Sequence, residues 1–312
     1  MKLSSQRKEL EISEAAFGEL RESNELLLDG AALAQRMAAD GYLFFRGALL
    51  RELVIEARCE CVRRLSEAGR LEPGTELMDA IPRRGGEGSY FWADLAEDNV
   101  PLLELLYSGP MIEIFARLLG GPVLHYDFTW MRAVTPGGST APHCDRVYMG
   151  RGTTNLYTAW TPLGDIPRTV GGLIVLEGSH KRQDVTGEYL AQDVDSYCAN
   201  GPAAEAVRTG AIHWENPETH EAWDGAFSHD PPMLRQQLGG RWLTADYQMG
   251  DLLIFSMATL HASLDNQGDT IRLSSDTRYQ RADEPVDERW MNGPRGEKPI
   301  AHGLAAKRGR IC

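Results

Sequence analysis

A histidine and a carboxylate stand two positions apart near the middle of the chain, as His143 and Asp145. Residues i and i+2 of a β-strand point to the same face, so both side chains could reach one metal ion while Cys144 faces away. A third candidate ligand, His261, follows the apolar run 252–255. Two histidines and one carboxylate form the facial triad of non-haem iron(II) oxygenases, which leaves other coordination positions open. The pattern predicts an iron(II) site made of these three residues.

Each piece of this motif also has an ordinary structural interpretation. A lone histidine two residues before an aspartate is common in unrelated sequences, and a histidine at a strand end is more often only hydrogen-bonded. The remaining histidines are most simply interpreted as structural or solvated side chains; they are His125, His180, His213, His220, His229 and His302. The metal hypothesis therefore depends on what accompanies the three candidate ligands.

The stretch 271–280 accompanies them, because it alternates as a β-strand does. One of its faces is wholly polar and consists of Arg272, Ser274, Asp276, Arg278 and Gln280. In a strand that faces water this is ordinary, but in a barrel strand that follows a metal histidine the polar face could line a wet cavity. An arginine there offers a planar fork that binds a carboxylate through two hydrogen bonds.

Composition excludes several other classes of protein. The 312 residues include 45 Asp and Glu against 32 Lys and Arg, a formal net charge of −13 that argues against a nucleic-acid binder. No apolar run approaches the roughly 18 residues that span a bilayer, and the polar N-terminus has no secretory signal. The five cysteines are scattered without a Cys-x-x-Cys pair, which favours free thiols and a cytoplasmic location.

The elements that must position the candidate site change character along the chain. Helices are predicted over 13–29, 31–39, 50–69 and 100–119, with one strand at 42–47. Eight short strands are predicted at 122–134, 144–149, 155–162, 172–177, 242–246, 251–256, 260–264 and 271–280. Eight strands suit a jelly roll, so the predicted fold is mainly β with flanking α-helices, a double-stranded β-helix of the jelly-roll or cupin-like kind.

We expect a single structural domain with three parts. Residues 1–120 form an N-terminal helical region that packs on the barrel, 121–285 form the catalytic barrel, and 286–312 form a C-terminal tail. A long insertion at 181–240, rich in histidine, tryptophan and acidic residues, interrupts the barrel. Such insertions are often lids or substrate-facing loops, although an exposed acidic and aromatic loop is nearly as good an interpretation.

The sequence resembles the phytanoyl-CoA dioxygenase family of iron(II)- and 2-oxoglutarate-dependent oxygenases from about residue 40 to residue 280. The segments that carry the resemblance are 40–47 (DGYLFFRG), 142–145 (PHCD), 160–165 (WTPLGD), 171–180 (GGLIVLEGSH) and 250–255 (GDLLIF), followed by His261 and, eleven residues later, Arg272. The run at 171–180 and the spacing of eleven residues from His261 to Arg272 are, in combination, specific to this family.

The resemblance implies a role for each candidate residue. His143, Asp145 and His261 hold iron(II). Arg272 binds the distal carboxylate of 2-oxoglutarate with Ser263 beside it, and Trp160 lies near the same co-substrate. O₂ is the other reactant, and a C–H bond of a small molecule is hydroxylated while succinate and CO₂ are released. Family members that halogenate lack the carboxylate that Asp145 provides, so its presence favours hydroxylation.

One family feature is missing from the sequence. Some relatives bind 2-oxoglutarate through a lysine from an N-terminal strand or loop, and the matching region 89–92 has none. Tyr90 or Arg132 could substitute, or the contact could be absent. The sequence leaves these possibilities open.

The substrate is the least readable part of the sequence. The net charge of −13 and the lack of a basic cluster favour a small neutral or cationic molecule, and analogy with the family favours a secondary metabolite. Two alternatives remain: a cupin-type dioxygenase or isomerase without 2-oxoglutarate, which would not need Arg272, and a barrel that binds a metabolite without turnover. No nucleic-acid or membrane partner is expected, and the oligomeric state cannot be read.

Overall fold

The structure is a computed structural model that describes residues 2–85, 92–197, 223 and 225–294. Four helices precede the barrel. They are α1 (Gly30–Asp40), α2 (Arg51–Glu67), α3 (Val100–Tyr107) and α4 (Gly109–Leu119). The first begins where the Asp29 side chain accepts a hydrogen bond from the Ala32 amide and ends at Gly41, whose φ of 79° suits glycine.

Six strands form the larger sheet. They are β4 (Tyr42–Phe45), β5 (Val123–His125), β6 (Trp130–Val134), β7 (Tyr157–Pro162), β10 (Leu252–Ser256) and β12 (Arg272–Arg281). The order is β4-β10-β7-β12-β5, and β6 also pairs with β12. Strand β12 therefore has neighbours on both edges, and all but its last residue are buried. Its polar face consequently points into the protein.

The smaller sheet has the order β11-β8-β9-β3. Its strands are β3 (Phe17–Glu19), β8 (Leu173–Leu176), β9 (Trp242–Thr244) and β11 (His261–Ser263). A cluster of buried apolar side chains contributed by both sheets, among them Phe44, Trp160, Val175, Leu243 and Phe255, fills the space between them. This two-sheet architecture with flanking helices is the double-stranded β-helix that the sequence predicted.

Helices pack on the barrel from outside. A second apolar cluster contains side chains from the four helices α1, α2, α3 and α4 and from the larger sheet. Within it, the rings of Phe115 on α4 and Tyr279 on β12 stack with centroids 4.0 Å apart. Two further helices, α5 (Gln183–Leu190) and α6 (Pro231–Leu238), contribute to a third cluster with the smaller sheet. Burial of a large apolar side chain contributes about 1.5–3 kcal/mol, so these clusters hold the barrel strands in place.

A short hairpin near the N-terminus, β1 (Ser4–Ser5) with β2 (Lys8–Glu9), lies against the strand that carries the third candidate ligand. Ser5 Oγ donates to the carbonyl of Ser263 at 2.7 Å, and the amide of Asp265 donates to the carbonyl of Ser4 at 2.7 Å. Residues far apart in sequence thus support β11 from its outer edge.

Four secondary-structure predictions are wrong. The single strand expected over 122–134 is two strands, β5 and β6, separated by residues 126–129. The helix expected over 13–29 is instead strand β3 followed by a 3-10 turn at Asn24–Leu26, because β3 adds to the smaller sheet in parallel with β9. The helix expected over 100–119 is two helices that meet where Pro110 follows Gly109, which has a φ of 52°. The strand expected at 144–149 is a 3-10 turn, Asp145–Val147.

None of the helices built from the described residues is long and apolar enough to cross a membrane. Within the same residues Cys59, Cys61 and Cys144 are free thiols. Burial raises the pKa of Cys61 to about 12, which keeps that thiol protonated.

Candidate metal centre and co-substrate cavity

The two candidate histidines are brought together by the backbone itself. The amide of His143 donates to the carbonyl of His261, and the reciprocal bond is also made, each at 3.0 Å. This isolated antiparallel bridge lies at the start of β11, and it sets the two imidazole rings with centroids 4.2 Å apart. Main-chain hydrogen bonds therefore bring together two histidines that are distant in sequence.

Each imidazole is held in one tautomer. The Nδ1 atom of His143 lies 2.8 Å from the carbonyl of Ala141, and that of His261 lies 3.0 Å from the carbonyl of Thr259. A carbonyl only accepts, so Nδ1 carries the proton in both rings and Nε2 keeps its lone pair. Backbone carbonyls often orient metal-binding histidines in this way.

The carboxylate of Asp145 divides its two oxygens between two tasks. Oδ1 lies 3.6 Å from Nε2 of His143 and 3.7 Å from Nε2 of His261. Oδ2 accepts hydrogen bonds from the hydroxyl of Thr158 and from Nη2 of Arg278, the latter at 2.9 Å. Only Oδ1 is therefore directed toward the histidines.

The three side chains fit a metal ion. One donor atom from each of His143, Asp145 and His261 lies within 4.8 Å of the others, and all three residues are buried. This separation matches ligands bound about 2.0–2.2 Å from one ion. The expectation that His143 and Asp145 share a strand face is wrong, because Asp145 begins a 3-10 turn. The two histidines are brought together by the bridge between His143 and His261.

Charge in the cluster favours metal binding at neutral pH. Burial alone would raise the pKa of Asp145, but Arg278 and the two histidines hold it well below its usual range. Burial, together with the neighbouring His143, lowers the pKa of His261 to about 3. Asp145 is thus ionised and His261 neutral, which are the forms that bind a cation.

A polar cavity adjoins the cluster, and the residues around it include most of those predicted for the site. Its lining consists of Arg132, Thr140, His143, Trp160, Leu173, His261, Ala262, Ser263, Arg272 and Asp276. The cavity thus contacts both histidines of the metal cluster and the predicted 2-oxoglutarate arginine.

Arg272 is buried at the start of β12 and offers a hydrogen bond to a ligand. One guanidinium nitrogen, Nη1, donates to the carbonyl of Gly171, whereas the buried Nε has no partner among the described residues. Burial and the nearby Arg132 lower the pKa of Arg272 to about 10, so it stays cationic at neutral pH. A buried cation with an unused donor is suited to a carboxylate.

Ser263 and Trp160 line the same cavity from opposite sheets. Ser263 follows His261 by two residues on β11, and its Oγ accepts a hydrogen bond from the amide of Thr140 at 2.8 Å. Trp160 lies opposite Asp276 on β12 and is 1% exposed. The Ser263 hydroxyl retains its proton for donation to a ligand.

Sequence reasoning missed the residues that support the metal ligands. Thr158, which donates to Asp145, received no role. Arg132 was considered only as a substitute for the missing lysine, and its ion pair with Asp276 at 2.5 Å was not foreseen. The sequence indicates Arg278 only as a member of the polar face of 271–280. The signal was present in that face, since all five of its members are buried in a strand with neighbours on both edges. Of the two possible substitutes for the missing lysine, Arg132 lines the cavity and Tyr90 lies outside the described residues.

Part of the predicted insertion 181–240 also lies outside the described residues, which omit 198–222 and 224. Its described parts are α5, a 3-10 turn at Val194–Tyr197 and α6. Substrate contacts from the omitted part stay a prediction.

The barrel, the three candidate metal ligands and the buried Arg272 together define the class of iron(II)- and 2-oxoglutarate-dependent oxygenases. The model of the phytanoyl-CoA dioxygenase (PhyH) family matches residues 39–274, and the chain belongs to that family. Its cofactors are iron(II) and 2-oxoglutarate.

Named relatives cover nearly the whole chain. A 1-deoxypentalenic acid 11-beta-hydroxylase from Streptomyces exfoliatus is 27% identical over 300 residues, 90% of this chain and 92% of the relative. Among solved structures, the epimerase SnoN in complex with Fe3+, alpha ketoglutarate and nogalamycin RO is 21% identical with a TM-score of 0.54, covering 88% of this chain and 94% of SnoN. The carbocyclase SnoK is 17% identical with a TM-score of 0.55, covering 91% and 98%. The structural matches establish the fold.

Proposed function

We propose that this oxygenase hydroxylates a small secondary metabolite at an unactivated C–H bond and releases succinate and CO₂. The observation that carries the proposal is the reciprocal bridge between His143 and His261, with Oδ1 of Asp145 directed at both rings and Arg272 in the adjoining cavity. An iron(II) ion bound there, together with a 2-oxo acid and O₂, supplies the oxidising chemistry.

The residues of the chain have separate roles in this proposal. His143, Asp145 and His261 are the iron ligands and leave the remaining positions for co-substrate and O₂. Arg272 pairs with the distal carboxylate of 2-oxoglutarate, because burial of that carboxylate without a partner would be costly. Ser263 donates its hydroxyl proton to the same group.

Trp160 forms an apolar wall of the co-substrate cavity. Its ring contacts Tyr247 with centroids 4.6 Å apart, which fixes the indole against the smaller sheet. Such a wall excludes water and strengthens the electrostatic attraction between the arginine and a carboxylate.

Hydroxylation is favoured over other outcomes by two observations. Asp145 occupies the ligand position that family members with halogenating activity lack. The relative that matches over 90% of this chain is named a hydroxylase, although other proteins with this fold are named as an epimerase and a carbocyclase. The same names support a secondary metabolite as the substrate.

The cupin-type and non-catalytic alternatives receive less support from the site. A cupin without 2-oxoglutarate has no use for the buried Arg272, and a simple binding protein has no use for three metal ligands around open positions. The division of the chain at residues 120 and 285 and the cytoplasmic location stay predictions.

The test begins with the pure protein under anaerobic conditions. Addition of iron(II) and then 2-oxoglutarate should give the weak visible absorption of an iron-bound 2-oxo acid, and His261→Ala should abolish it. His180→Ala, which changes a histidine that does not line the cavity, is the matched control. If metal analysis shows full loading and no absorption appears, the proposal is wrong.

Turnover is tested second. With O₂ admitted, candidate metabolites beginning with 1-deoxypentalenic acid are screened for succinate formation and for products that have gained one oxygen atom. Products that have lost two hydrogen atoms instead would replace hydroxylation by desaturation or ring closure.

A further inference from the structure

The interior around the metal cluster carries more positive than negative charge among the described residues. Asp145 is paired with Arg278 at 2.9 Å, and Asp276 is paired with Arg132 at 2.5 Å. Arg272 has no acidic partner within ion-pair distance among those residues. Three arginines against two aspartates leave one positive charge.

Loading the site with its cofactors does not remove this charge. Iron(II) adds two positive charges and the 2-oxoglutarate dianion adds two negative charges, so the loaded site keeps an excess of one. An uncompensated charge in a poorly solvated interior is costly, and a ligand that carries one negative charge would remove the cost.

Arg132 presents unused donors to the cavity in addition to the Nε of Arg272. Its Nε binds Asp276, whereas Nη1 and Nη2 have no hydrogen-bond partner among the described residues. The side chain is 21% exposed and lines the cavity, while Arg272 and Arg278 are each only 2% exposed. The two Nη groups can therefore bind a carboxylate that enters from the cavity.

The register of the sheet places Arg132 between the two ends of the site. Arg132 lies opposite Ser274 on β12, and its partner Asp276 lies between Arg272 and Arg278 on the same face of that strand. Arg278 in turn binds the metal ligand Asp145. Arg132 therefore lies beside Arg272, the arginine proposed to bind 2-oxoglutarate. The ion pair with Asp276 directs the guanidinium of Arg132 toward the candidate metal ligands.

A cluster of buried aromatic side chains includes a residue on the same face of β6 as this cation. Trp130, two residues before Arg132 on the same face of β6, packs against Phe128 and Trp290 with ring centroids 4.6 and 4.7 Å away. The cavity lining itself includes the apolar side chains of Leu173 and Ala262 beside Arg132. A molecule with a hydrocarbon body and one acidic group would match this combination of apolar wall and free guanidinium edge.

We propose that Arg132, oriented by Asp276, binds a carboxylate of the substrate, and that the substrate class is small apolar molecules with one acidic group. This rests on the proposed function, since the two carboxylates of 2-oxoglutarate must already be bound by the iron and Arg272. It reverses the expectation of a neutral or cationic substrate, because the charge of the whole chain does not set the charge of the cavity.

The test compares acids with alcohols of the same skeleton. The anaerobic protein with iron(II) and 2-oxoglutarate is titrated with cyclohexanecarboxylate, 1-adamantanecarboxylate and abietic acid, and with the primary alcohol that corresponds to each. Binding is measured by calorimetry and by the change in the visible absorption. At least one acid should bind more than about tenfold more tightly than its alcohol, as one charge-assisted contact predicts.

Variants assign the preference to Arg132. In Arg132→Gln with Asp276→Asn, both members of the pair become neutral, so no buried charge is left alone. This double variant should lose the preference for acids while its dissociation constant for 2-oxoglutarate changes less than about threefold. Arg132→Lys should retain part of the preference, since a lysine keeps the charge without the planar fork.

Three results would overturn the inference. The first is a panel in which no acid binds, and the second is one in which the alcohols bind as tightly as the acids. The third is a double variant that keeps the preference but loses affinity for 2-oxoglutarate, which would make Arg132 a co-substrate residue. If the wild-type protein does not form the complex with 2-oxoglutarate, that result would instead contradict the proposed function.

Discussion

Arg278 binds the metal-cluster carboxylate of Asp145 through the oxygen that faces away from the histidines, at 2.9 Å. The hydroxyl of Thr158 donates a hydrogen bond to the same oxygen. With Oδ2 occupied twice, Oδ1 is the oxygen left to bind a metal, so the carboxylate binds through one atom. Arg278 also stacks over the ring of Trp130, 4.3 Å from its centroid. The position of the candidate metal ligand is therefore tied to the buried aromatic cluster of Phe128, Trp130 and Trp290.

Removal of Arg278 should destabilise the protein even without metal. Arg278→Met leaves the 2% exposed Asp145 without its cation, and loss of one partner of a buried ion pair costs about 3–5 kcal/mol. Urea unfolding of the metal-free protein measures the effect. Arg117→Met is the control, because Arg117 forms an exposed ion pair with Glu113 one helical turn away, and it should change the unfolding free energy by less than about 1 kcal/mol.

Thr158→Val should weaken metal binding without loss of shape. The substitution removes the hydroxyl that holds Oδ2 of Asp145, and loss of a group that orients a metal ligand typically costs about 10- to 100-fold in metal affinity. Anaerobic titration with iron(II) or manganese(II) measures it. The same strand offers a matched control, because the buried hydroxyl of Thr161 has no hydrogen-bond partner among the described residues. Equal losses in Thr158→Val and Thr161→Val would contradict this role.

Arg272→Ala should raise the dissociation constant of 2-oxoglutarate by about 10- to 150-fold, the range expected when one charge-assisted pair of about 1.5–3 kcal/mol is lost. Affinity for iron(II) should change much less, since Arg272 makes no contact with the three ligands. Anaerobic titration of both ligands separates the two effects. An unchanged 2-oxoglutarate affinity would mean that another cation, with Arg132 the nearest, performs the task.

Acid should destabilise the metal-free protein through His261. Its folded pKa of about 3 lies below the ordinary histidine value of 6.5, so between these values the unfolded chain binds a proton that the folded chain does not. Stability therefore falls as the pH is lowered from 6.5 toward 3, by at most about 1.4 kcal/mol per pH unit for one group. Urea unfolding at several pH values should show a shallower slope in His261→Asn. Equal slopes would exclude His261 as the source.

The sequence predicted the fold class, and it named three candidate metal ligands that the structure brings together. His143, Asp145, His261 and Arg272 could be named because their residue types and spacing, taken in combination, are typical of few sites besides an iron centre with a bound 2-oxo acid. The alternation of 271–280 also gave strand β12 correctly, since a strand with a polar inner face keeps its period of two.

The remaining features depend on tertiary contacts that no local pattern encodes. The stretch 13–29 has apolar spacing compatible with a helix, but pairing of Phe17 with Trp242 across the smaller sheet makes part of it a strand. The contact of Arg278 with Asp145 joins two elements that the sequence separates widely, and nothing near either residue specifies the other. Local periodicity determines which side chains share one face of a helix or strand. Which elements pair with each other depends on the tertiary fold.

The hairpin of β1 and β2 has a practical consequence for anyone handling the enzyme. Ser4 and Ser5 are bonded to the backbone on either side of Leu264, directly after the strand that carries His261 and Ser263. A proteolytic cut between this hairpin and the rest of the protein would remove both hydrogen bonds to that segment. We expect such a cut to weaken 2-oxoglutarate binding without any change in the residues that line the cavity.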